Sequence, residues 1–161
     1  MSRWQLSVAC VALWGAAQLF AQQQNFDAVT VEVLPLRSNV SVLYGAGGNV
    51  VVQTGDEGVV VVDTQFAQMS EKLLQAIRTL SDLPIRYVID THMHGDHIGG
   101  NENLARAGRT RAGGNVVGNI GADASSRATV IAHENVMRRL SAPTGSQPAV
   151  AFGLWPTETF F

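Results

Sequence analysis

Between Val59 and Asp90 the spacing of apolar residues changes twice, and this constrains the fold more than any other feature of the chain. "VVVVD" (59–63) is an unbroken β-branched run, which suits a central strand buried on both faces. Over residues 65–80, Phe66, Met69, Leu73, Ile77 and Leu80 then recur at three- and four-residue steps, the spacing of one face of a helix. "SDLP" closes that helix and "IRYVID" (85–90) reads as another strand. A strand-rich start followed by such helix–strand–helix units supports α/β or α+β.

Upstream, "VTVEVLP" (29–35) alternates as a strand, and "NVSVLYG" (39–45) and "NVVVQTG" (49–55) form a hairpin around "AGG". Downstream come a helix over about 101–107, a Gly/Asn/Ser-rich stretch at 108–127 read as a mobile loop, a strand at 128–133 and a helix opening at "ENVMRRL". After "SAPTGSQP" no period survives, and Trp155, Phe160 and Phe161 stand near the end with nothing after them to cover them. The class is α/β or α+β, with a mixed sheet and flanking helices.

Residues 1–21 read as an export signal: a short basic start, a charge-free apolar run and a polar switch after Ala21. A membrane-spanning anchor is the other reading of that run. Cys10, the single cysteine, lies inside it, so residues 22–161 offer neither disulfides nor thiolate ligands. Removing Arg3 with the signal would leave 10 Lys and Arg against 13 Asp and Glu. With no basic run, that charge argues against nucleic acid as a partner. A small-molecule substrate fits better, with no stable membrane anchor once the signal is cleaved.

Three of the four histidines fall within six positions, in "THMHGDHIGGN" (91–101). At this composition an H-x-H-x-D-H string arises by chance in roughly one chain in ten thousand. On extended chain leaving a strand, His92 and His94 face the same side, and Gly95 lets the backbone turn so that Asp96 and His97 serve a second position. Imidazole and carboxylate without thiolate favour zinc or iron.

These residues, with "GNVVVQTGDEGVVVVDTQF" before them and "VIAHENVMRRL" after, resemble the metallo-β-lactamase superfamily. The resemblance implies an αββα sandwich of two similar halves, of which this chain carries the first. It implies two zinc ions per complete domain, with iron or manganese as other choices. His92 and His94 would ligate the first metal, and Asp96 and His97 the second. Asp96 would also be the catalytic residue, acting on the water that attacks an ester, thioester, lactone or amide carbonyl, a β-lactam among them. Gly99 and Gly100 match a tight turn beside the metals. Asp63 and Asp90 match acidic positions that either orient ligand imidazoles or cap strand ends. His133 is a candidate third ligand on position alone, although "IAHENV" matches a stretch that precedes the family's ligand histidine. The family's later ligands are absent, so a C-terminal half or a partner chain is expected to complete the site. The alternatives are a non-catalytic metal-binding or interaction module and, less well matched, a redox diiron protein.

Overall fold

In the computed structural model, residues 24–110, 127–142 and 148–161 are described. The proposed signal at 1–21 and most of the 108–127 loop therefore lie outside the described residues.

The sheet has seven strands in chain order: β1 (Glu32–Arg37), β2 (Val40–Tyr44), β3 (Val50–Gly55), β4 (Gly58–Val62), β5 (Ile85–Asp90), β6 (Thr129–His133) and β7 (Glu158–Phe160). β1 to β4 pair antiparallel through short turns, whereas β4, β5, β6 and β7 run parallel. The helices are α1 (Ser70–Leu80), α2 (Gly95–Ile98), α3 (Asn101–Ala107) and α4 (Glu134–Ser141). A 3-10 turn at Ala67–Met69 leads into α1.

Helical spacing puts Met69, Leu73 and Ile77 on one stripe, and all three are buried against Val50, Val52, Val59, Val61 and Val88. Leu104 and Ala105 of α3 extend the same core. A second cluster joins Ile98, Ala132, Val136 and Leu140, with Met93, Val150, Leu154 and Trp155 packed on it. Thus residues 152–161, where no pattern was legible, form a 3-10 turn (Phe152–Leu154) and the edge strand β7. Pairing with β6 makes this strand, which its own three residues could not specify.

The expectation that β4 is buried on both faces needs correcting. Val59 and Val61 are buried, but Val60 and Val62 are half-exposed. Cross-strand partners share a face, so one row runs Leu34, Val42, Val51, Val62, Ile89 and Ile131 across six strands. Val42 alone in that row is buried, and Tyr87 beside it is 39% exposed. Helices cover the opposite face, and no described residue covers this one.

Candidate metal centre

Because β4, β5 and β6 are parallel, their C-terminal ends meet at one edge, where ligands gather in open sheets. β4 delivers Asp63 there, β5 delivers Thr91 and the histidine loop, and β6 delivers His133.

His94 has extended backbone and α2 starts at Gly95, a helical turn that the sequence reading missed. The loop thus splits into two donor pairs. His92 Nε2 and His94 Nδ1 lie 3.1 Å apart. Asp96 Oδ2 and His97 Nε2 lie 3.7 Å apart. The pairs are neighbours, since the His92 and His97 ring centroids are 4.0 Å apart.

Asp63 organises both pairs. Its Oδ2 lies 2.8 Å from His97 Nδ1, so a proton held there leaves Nε2 as the free lone pair. It also accepts from Thr91 Oγ1 at 2.8 Å and from Thr91 N at 2.9 Å. Thr91 Oγ1 in turn sits 2.9 Å from His92 Nδ1. With its own hydrogen on Asp63, that hydroxyl accepts from Nδ1 and leaves His92 Nε2 free as well. Of the two readings for Asp63, orienting imidazoles describes its contacts.

Asp90 does not share that role. Its Oδ2 accepts from Asn101 Nδ2 at 2.9 Å, with no histidine in the contact. Burial raises its pKa to about 7 against a lowering from the Asn101 hydrogen bond, and the Asp63 charge adds a smaller upward push. His133 is an N-cap: Nδ1 accepts from Asn135 N at 3.1 Å, and the ring packs edge-on to Phe160.

The turn between β2 and β3 closes over the loop, with Gly48 N donating to Asp96 O at 3.2 Å. A Cβ on Gly48 would fall 2.6 Å from His97 Nε2, so any other residue there would have to displace the ring. Gly99 and Gly100 pack as the turn motif implied, since a Cβ on either would collide with backbone of residues 64–67 or with Gly95. Thr64, Thr91, Asn101 and Gly48 escaped the sequence reading. A lone Thr, Asn or Gly carries no signal until a partner distant in sequence arrives.

Among the described residues no three His, Cys, Asp or Glu side chains are arranged to hold one metal ion. The two pairs nonetheless fit the group in kind. Two imidazole nitrogens on one tetrahedral zinc stand about 3.3 Å apart, close to the His92–His94 gap. Each pair brings two atoms of the donor type together.

Residues 43–118 match the model of the metallo-β-lactamase superfamily. The matched segment contains Asp63 and the whole histidine loop. Solved metallo-β-lactamases share the fold. MIM-1 from Novosphingobium pentaromativorans aligns with a TM-score of 0.60 at 17% identity, over 91% of this chain and 50% of that one. A Cronobacter sakazakii metallo-β-lactamase with a HARLDQ motif gives 0.59 at 18%, over 86% and 50%. The subclass B3 enzyme MEM-A1 from a soil metagenome gives 0.55 at 18%, over 81% and 46%. Among curated proteins, a linear primary-alkylsulfatase of Pseudomonas sp. (strain ATCC 19151) is 38% identical over 61 residues, which are 34% of this chain and 12% of that protein. The chain thus spans about half the length of the solved metallo-β-lactamases it matches.

Proposed function

We propose that this chain carries the metal-holding loop of a zinc-dependent hydrolase that cleaves an ester, thioester, lactone or amide, with β-lactams among its candidate substrates. The observation that carries this reading is the pairing of donors, two and two on adjacent turns of one loop, with Asp63 holding both pairs. His92 Nε2 and His94 Nδ1 would hold one ion, and Asp96 Oδ2 and His97 Nε2 the other. When bound, the two zinc ions would lower the pKa of water and polarise the carbonyl under attack. Asp96 is the catalytic residue in this reading: its partly exposed carboxylate takes the proton from the attacking water and returns it to the leaving group. Asp63 keeps both imidazoles in the donating tautomer throughout.

Two donors per ion are too few. The others would come from a further half of the domain, or from a partner chain, seated on the open sheet face. The relatives' greater length supports that reading. Residues 1–21 are proposed as an export signal, which N-terminal sequencing of the secreted protein tests: a start at Met1 contradicts it. No helix among the described residues is long and apolar enough to cross a membrane.

The activity test is a panel of a chromogenic β-lactam, a lactone, a thioester and, given the alkylsulfatase relative, a linear alkyl sulfate. Turnover of one substrate, lost on chelation and in Asp96→Asn, is the expected result. Metal binding without turnover of any substrate would replace this reading with the non-catalytic module.

A further inference from the structure

Asn101, the first residue of α3, is wholly buried, and its amide is fully engaged. Nδ2 donates to Asp90 Oδ2 at 2.9 Å and to the Leu154 carbonyl at 3.0 Å. Oδ1 accepts from Thr64 Oγ1 at 2.9 Å. Two donors and an acceptor on one short planar group are what a carboxamide offers; an aspartate would lose both donors and face the Asp90 carboxylate.

The three partners matter because of where they lie. Asp90 stands two residues ahead of His92. Thr64 takes hold of the His97 carbonyl through its backbone N at 2.6 Å, while its one hydroxyl hydrogen goes to Asn101. One buried amide therefore reaches both ends of the six-residue motif, the start through Asp90 just ahead of it and the finish through Thr64. The third partner, Leu154, belongs to the segment whose Val150, Leu154 and Trp155 pack on the cluster of Ile98, Ala132, Val136 and Leu140, on which Met93 also packs. Met93 sits between His92 and His94.

We infer that Asn101 is a positioning residue for the metal loop, setting how the two donor pairs stand to each other and linking them to the C-terminal segment through Leu154. The inference rests on the proposed metal reading. Asn101 acts through Asp90, Thr64 and Leu154, since its own polar atoms are occupied by them.

The test is a cobalt(II) titration of residues 22–161, the chain without its proposed signal, followed by visible absorption and by emission of Trp155, its one tryptophan. Asn101→Ala should weaken cobalt binding by about 10- to 100-fold, the usual effect of losing a group that supports ligands. Thr64→Val, nearly isosteric, cuts the same link from the other side and should weaken it by about 10-fold even if the Asn101 variant fails to fold. Leu104→Ala is the control: it removes a buried side chain from the same helix and should leave affinity within about twofold. Cobalt should shift Trp155 emission in the wild type, and the shift should vanish in Asn101→Ala. A wild-type chain that binds no cobalt removes the metal reading and this inference with it. Normal wild-type binding, matched within twofold by Asn101→Ala or Thr64→Val, overturns this inference alone.

Discussion

Asp63 has positive φ, as does Gln65 two residues on, so the backbone leaving β4 is held in a conformation that side chains disfavour. The turn aims the carboxylate at Thr91 and His97. Asp63→Ala should therefore cost about 1–3 kcal/mol of stability. It should also lower metal affinity by about 10- to 100-fold, checked by titration with a chelator as competitor. Gly48→Ala presses a methyl group on His97. A loss of about 1–3 kcal/mol is expected, together with weaker binding of the second of two metal equivalents; an unchanged titration would show that the ring moves freely. Asp90 supplies a pH dependence. Its folded pKa of about 7 lies above the ordinary 3.8, so its neutral form suits the fold. Stability from this group is whole below about pH 4 and is lost as pH rises through 7, by up to about 4 kcal/mol. In the metal-free protein Asp90→Asn should gain on the wild type as pH rises from 4 to 8, read by denaturant melts. A constant difference would mean that Asp90 titrates normally.

Among the elements, α1 was the most legible, because Met69, Leu73 and Ile77 carry its period and all are buried. Leu73→Ala should cost about 2–5 kcal/mol, measured by thermal or chemical unfolding. The helix begins later than its apolar stripe, however. Phe66 is extended and Ala67–Met69 is a 3-10 turn, because the chain must first pass the strained link at 63–65 that the site uses. The strands β2, β3 and β5 fell close to where alternation and turn residues put them. α2 and β7 were invisible for opposite reasons. α2 is one turn made mostly of site residues, and β7 is a strand only because β6 offers it a ladder.

Across the whole molecule, the apolar row from Leu34 to Ile131 stays half-open to water. If another half-domain or a partner chain seats there in the natural protein, Val60→Lys should destabilise the full-length protein by several kcal/mol, since a charge would be buried without a partner. A change below about 0.5 kcal/mol would mean the face is open to solvent. Pattern along the chain determined the order of strands and helices, and six spaced residues determined which side chains form the donor pairs. Those properties are local, set by side-chain period and residue type. Tertiary structure decided which aspartate serves the metal loop, that His133 caps a helix, and that Thr64 and Asn101 clamp the motif's ends. Apart from the cap, which His133 makes with Asn135, such choices depend on contacts between residues 11 to 37 positions apart, which no local period encodes.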